Sequence, residues 1–162
     1  MFYPIEIKFR HNTDGLLDHM IGVSSNNKHV EAKFPDGMSF SSTIRKEALN
    51  GGNGPRFKHI GYSHPEWWTT YILWVTSEEL ASIYFDCEVL VDQELGYDTI
   101  GAVGTAGTGS QAAWKWFCSE VVYDRICCRW LPTRMNFKMD PDALEDVVVK
   151  LAASLERRKQ RA

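Results

Sequence analysis

Nothing in this sequence approaches the ~18 consecutive apolar residues that a membrane-crossing helix requires, so no membrane partner is expected. The N-terminal stretch from Met1 to Lys8 has no apolar signal-peptide core, and no secreted form is expected. Basic residues form no block before the short tail from Glu156 to Arg161, and the formal charge is -3, which argues against nucleic acid as a partner. Cysteine is scarce. Cys87, Cys118, Cys127 and Cys128 are too few and too unevenly spaced for a disulfide framework. No two of them have CxxC spacing, and the adjacent pair Cys127–Cys128 cannot chelate one ion well, so neither a metal nor a cofactor is expected. The Gly-rich run from Gly101 to Ser110 lacks the Gly-Lys-Ser/Thr of a phosphate-binding loop. These absences point to a cytoplasmic, reducing setting in which thiols stay free.

What is present suits one domain over residues 1–162, since 44% hydrophobic residues can bury a core without disulfides or metal. Ile5, Ile7 and Phe9 alternate with Glu6, Lys8 and Arg10, the period-two pattern of a half-buried strand. Residues His29–Phe34 alternate, Pro35-Asp36-Gly37 supplies turn chemistry, and Met38–Ser42 alternates again, which predicts a hairpin with a three-residue loop. In that register Phe34 faces Met38, Ala32 faces Phe40, Glu31 faces Ser41 and His29 faces Thr43. One face is then apolar, and the other carries His29, Glu31, Lys33, Ser39, Ser41 and Thr43. A short strand is expected over Arg56–Ile60, and Tyr71–Val75 reads as a strand buried on both faces.

A helix should start at Thr76 or Ser77 with Glu79 completing a capping box, carry Leu80, Ile83, Tyr84, Cys87, Leu90 and Val91 on its apolar side, and stop at Gly96. A second helix is expected from about Cys118 to Arg129. A third, over about 140–158, has Asp140 as N-cap, Pro141 at its first position and a stripe of Leu144, Val147, Val148, Leu151 and Leu155. Strands first and helices later give an α+β class, with helices packed on an antiparallel sheet.

Cys87 lies on an apolar stripe, and Cys127 and Cys128 close a helix where the dipole disfavours a thiolate, so all three read as packing residues. Cys118 stands at a helix start, where unpaired N–H groups stabilise a thiolate and can bind a developing oxyanion. On position alone it is either a nucleophile or an inert packing thiol. His29 is likewise either a structural strand histidine or a base, with Glu31 on the same face able to orient it. Glu120 reads as a carboxylate suited to the first helical turn.

Two segments together resemble a known family. His29-Val30-Glu31 ahead of the Pro35-Asp36-Gly37 hairpin, and later Trp116-Phe117-Cys118-Ser119-Glu120-Val121 opening a helix, look like the circularly permuted, papain-like NlpC-type cysteine peptidases, especially the YiiX-like branch and its phage-encoded relatives. The histidine strand preceding the cysteine helix is the permuted order. The likeness covers roughly residues 29–125, more loosely at Arg56-Phe57-Lys58, Tyr62-Ser63-His64-Pro65 and Tyr97-Asp98, and leaves the C-terminal helix outside.

The resemblance implies a permuted papain-like fold in which the Cys118 helix packs against the sheet bearing His29. It implies thiolate attack on an amide or ester through an acyl-enzyme, with peptides or peptidoglycan stem peptides as substrates. The slot for the group that orients the histidine falls on Ser41, where cell-wall peptidases often carry a histidine; the hairpin register offers Glu31 for the same task. The competing expectation is an interaction protein, for example a virion-associated phage component that keeps the fold without turnover.

Overall fold

The computed structural model describes residues 1–12, 26–27, 29–43, 54–93, 117–131 and 139–162. Five strands, β1 (Phe2–Arg10), β2 (His29–Lys33), β3 (Met38–Thr43), β4 (Gly54–His59) and β5 (Trp68–Thr76), form one antiparallel sheet in the order β4-β3-β2-β1-β5. Three α-helices, α1 (Ser77–Asp92), α2 (Cys118–Arg125) and α3 (Pro141–Gln160), complete an α+β architecture. Short 3-10 turns lie at Pro65–Trp67 and Cys127–Trp130.

Alternation along each strand sorts the sheet into two faces. Ile5, Ile7, Phe9, Val30, Ala32, Phe40, Phe57, Leu73 and Val75 are buried on one of them. All three helices cover that face: α2 lies against β2 and β3, α3 against β5 and β1, and α1 against β4 and β5. Ile83, Cys87, Leu90, Val121, Val122, Leu144, Val148, Leu151 and Leu155 close the core from the helical side.

The hairpin register expected from sequence is observed, with Ala32 opposite Phe40 and Lys33 opposite Ser39. The Gly37 N–H bonds Phe34 O at 3.0 Å and the Phe34 N–H bonds Met38 O at 2.8 Å. Gly37 has φ +88°, the left-handed value that closes a three-residue loop of this kind. In β4, Pro55 pairs with Ser42 of β3 and, lacking an N–H, suits the last strand of the described sheet.

The helix starts also follow from local chemistry. Thr76 accepts from the Glu79 N–H while the Glu79 carboxylate accepts from the Thr76 N–H, a complete capping box. Asp140 accepts from the Ala143 N–H at 2.8 Å ahead of Pro141.

Two expectations need correction. β5 is longer than Tyr71–Val75 and is not buried on both faces, because Ile72 is 42% exposed while Leu73 and Val75 are buried. Among the described residues its sheet neighbour is β1 on one side only, and the described helices cover one face. The second helix does not run on to Arg129. It stops at Arg125, Ile126 departs to φ −117°, ψ −64°, and a 3-10 turn follows in which the Cys128 thiol donates to Asp124 O at 2.7 Å. Gly96, Tyr97, Asp98, Trp114, Trp116, the Gly-rich run and the apolar segment from Leu16 to Val23 lie outside the described residues.

Candidate active site

The second face of the sheet is polar, and its charges meet around β2. The β1 register sets Arg10 opposite His29, Lys8 opposite Glu31 and Glu6 opposite Lys33. On the far side, the β3–β4 register sets Ser41 opposite Arg56. Those pairings turn Glu31, Ser41 and Arg56 toward one another from three strands.

Glu31 is the centre of this cluster. Its side chain is 3% exposed, and the Arg56 guanidinium, 7% exposed, donates to its Oε1. The His29 Nε2 lies 3.0 Å from the same oxygen. The Tyr62 hydroxyl, from the segment joining β4 to β5, donates to Oε2 at 3.0 Å and itself contacts the Ser39 hydroxyl at 2.8 Å. Burial alone would push the Glu31 carboxyl up, but the bond and charge of His29, the charge of Arg56 and the Tyr62 bond outweigh it and hold it below the usual carboxylate range. Burial and the Glu31 charge push the Tyr62 hydroxyl well up, so Tyr62 stays a donor.

At the level of His29 the β2–β3 ladder has ended, and the described pairing reaches only Ala32 and Lys33. Ser41 fills that gap: its hydroxyl donates to Val30 O at 2.6 Å. A hydroxyl has one proton, so toward the His29 Nε2, 3.4 Å away, Ser41 can only accept. Glu31 is therefore the principal partner of Nε2, and Ser41 a weaker second. Trp68 packs edge-on to the His29 ring at 6.5 Å and to Tyr62 at 5.2 Å, walling one flank.

Cys118, the buried first residue of α2, lies close enough to the same imidazole to act on its charge. Burial opposes a charged His29, yet the interactions with Cys118 and Glu31 outweigh it and raise the imidazole from 6.5 to about 9. Glu120 in the first turn of α2 is buried and accepts from the Phe117 N–H at 3.5 Å, as a first-turn carboxylate should. The other cysteines are elsewhere: Cys87 and Cys127 are fully buried in the core, where burial pushes their thiols up.

Searches of protein-family models, curated proteins and solved structures returned no match to the chain.

The four residues singled out in sequence, Cys118, His29, Glu31 and Ser41, thus come together in one place. Arg56, Tyr62 and Ser39 join them and were not singled out, although the first two lie in the segments of looser resemblance. The alternation Ser39-Phe40-Ser41 already placed Ser39 on the polar face; nothing local marks Arg56 or Tyr62 as partners of Glu31. Among the described residues no group of three or more His, Cys, Asp and Glu is placed to hold a metal ion, and no helix is long and apolar enough to cross a membrane.

Proposed function

We propose that the protein is a thiol hydrolase of the permuted papain-like type, with Cys118 as nucleophile, His29 as acid and base, and Glu31 as the group that orients His29. The observation that carries this reading is the Cys118–His29–Glu31 line: a thiol at a helix start beside an imidazole whose Nε2 is held by a buried, Arg56-paired carboxylate. Nε2 is engaged by Glu31, so in this reading Nδ1 is the nitrogen that serves the sulfur. The order of parts, strand histidine before helix cysteine in an antiparallel α+β domain, supports the permuted fold.

In the proposed cycle the Cys118 thiolate attacks the carbonyl carbon of an amide or ester. Backbone N–H groups at the start of α2 receive the oxyanion. The His29 imidazolium gives its proton to the leaving amine or alcohol, and a thioester remains on Cys118. Water then attacks the thioester while His29 takes its proton. The acid leaves and Cys118 and His29 return to their starting forms. Peptides, including peptidoglycan stem peptides, are the proposed substrates.

The first test is alkylation by iodoacetamide at pH 6, mapped by peptide mass spectrometry. Free thiols are almost wholly protonated at that pH, so labelling there favours a thiol whose proton a neighbouring base can take. Cys118 is expected to outpace Cys87 and Cys127, and His29→Ala should remove the advantage. Glu31→Gln should reduce it more than Ser41→Ala. Equal labelling of Cys118 and Cys87 would defeat the proposal and leave the non-catalytic interaction protein as the better reading. Amide cleavage in stem peptides, lost in Cys118→Ala, tests the substrate class.

A further inference from the structure

Cys118 and His29 sit on different elements far apart in the chain, so something must fix their separation. The sheet does so only in part, because at His29 the described ladder joins β2 to β1 alone. The helix α2 rests on β2 and β3 through apolar side chains, which resist sliding weakly compared with directional bonds.

Directional bonds to both partners converge instead on the start of α3. The backbone N–H groups of Asn26 and Asn27, just ahead of His29, donate to the two Asp142 oxygens at 2.8 and 2.9 Å. The Asn27 side chain, buried to 1% exposure, donates to Asp142 at 2.9 Å and to Glu145, one turn on, at 2.7 Å. Glu145 in turn receives the Tyr71 hydroxyl of β5 at 2.9 Å, tying the same turn to the sheet. From the other side, the hydroxyl of Ser119, the residue after Cys118 and fully buried, donates to Met139 O, immediately before the Asp140 cap of α3. The start of α3 therefore holds the lead-in to His29 and the residue next to Cys118.

We infer that the start of α3, through Asp142, Glu145 and the carbonyl of Met139 just before its cap, is a common anchor that sets the Cys118–His29 contact. Asp142, Asn27 and Ser119 are positioning residues in this scheme and touch no reacting atom. The inference rests on the proposed Cys118–His29 pair. It also gives the C-terminal helix, which lies outside the stretch that resembles the NlpC-type peptidases, a part in the site.

The experiment compares Asp142→Asn, Asp142→Ala and Ser119→Ala with Arg158→Ala on the whole chain. Arg158 lies at the other end of α3, where it pairs with Glu79, so Arg158→Ala loosens the helix without touching the anchor. Three quantities are read: the unfolding midpoint, the His29 titration midpoint by NMR, and iodoacetamide labelling of Cys118 at pH 6. Among the described residues the groups facing His29 are Cys118, Glu31, Ser41 and Trp68, with Arg10 opposite it on β1, and none is altered by these changes.

The anchor variants should slow Cys118 labelling at least ten-fold and lower the His29 midpoint by about one pH unit or more, with Asp142→Asn the mildest because it keeps one acceptor oxygen. Arg158→Ala should leave both within two-fold and within a few tenths of a unit, even at equal loss of stability. Anchor variants that lose stability yet keep both readouts overturn the inference, as does an Arg158→Ala protein that shifts them equally. If Asp142→Ala does not fold, Asp142→Asn and Ser119→Ala decide alone. A wild-type Cys118 that labels no faster than Cys87 defeats the hydrolase reading instead, while the His29 midpoint still reports on the anchor.

Discussion

Replacing Cys118 by Ala removes one of the two partners that keep the His29 imidazole charged, and the size of the effect can be bounded. The imidazole is raised from 6.5 to about 9, a net preference on the order of 3 kcal/mol for the cation. That net is what remains after burial has opposed the charge, so the upward push from Cys118 and Glu31 together exceeds it. In both the hydrogen bond and the charge, the sulfur contributes more than the Glu31 carboxylate. It therefore carries at least half of the push. Losing it should lower the His29 midpoint by more than about one pH unit, to below about 8.

Carbon-detected NMR of the histidine ring against pH measures this directly. Cys118→Ser should fall between wild type and Cys118→Ala, because a hydroxyl keeps a hydrogen bond but supplies no anion. A wild-type midpoint at or below 6.5 would mean that burial dominates. A Cys118→Ala midpoint still near 9 would mean that Glu31 alone holds the charge. Either result refutes the reasoning that joins these residues.

The Glu79–Arg158 pair offers a test of how α3 is held to α1. Arg158 donates to both Glu79 oxygens at 2.7 Å, and Trp130 donates at 3.2 Å. Arg158 first, then the Thr76 N–H and Trp130, against opposing burial, lower the Glu79 carboxyl from 4.5 to about 2. A lowered carboxyl stabilises the fold above its unfolded value and stops doing so as pH falls, so this contribution should be present above pH 4.5 and vanish as pH falls through about 2. With both side chains partly exposed, Arg158→Ala should cost about 1 kcal/mol at pH 7 and clearly less near pH 2, where only its contacts with Trp74 O and the Phe2 ring remain to be lost, measured by urea unfolding. Gly37→Ala should destabilise the hairpin by about 1–2 kcal/mol, since φ is +88° and the added Cβ would lie 3.3 Å from the His59 ring. A Gly37→Ala protein as stable as wild type would show that the loop adopts another conformation.

What the sequence discloses and what it hides follow from the range of the interactions. The hairpin from His29 to Thr43 is specified within fifteen residues by alternation and a Pro-Asp-Gly turn, and its observed register is the expected one. The starts of α1 and α3 are equally local, each written in a cap and the next three residues. The helix α2 begins at Cys118 as its first-turn chemistry implies, but its early end at Arg125 depends on the turn packed after it. The partial exposure of β5 depends on its place in the sheet order, which periodicity does not contain. Arg56 and Tyr62 reach Glu31 across 25 and 31 residues, and the register that aligns Arg56 with Ser41 is set beyond the hairpin's own signals.

Those long-range partners bear on the serine at position 41, the slot where the proposed NlpC-type relationship would often place a histidine. A histidine in that slot would itself face the imidazole from β3. Ser41 instead spends its proton on the Val30 carbonyl, closing the ladder where β2 and β3 part. The orienting contact is supplied from within β2, by a carboxylate two residues after the histidine and on the same face. A buried carboxylate so placed needs a cation and a further donor, because removing either partner of a buried ion pair is strongly destabilising. Arg56 and Tyr62 meet that need from β4 and the segment after it. Ser41, Glu31, Arg56 and Tyr62 are therefore one connected solution to holding a single imidazole. A change at any one of them should be felt first at Nε2 of His29.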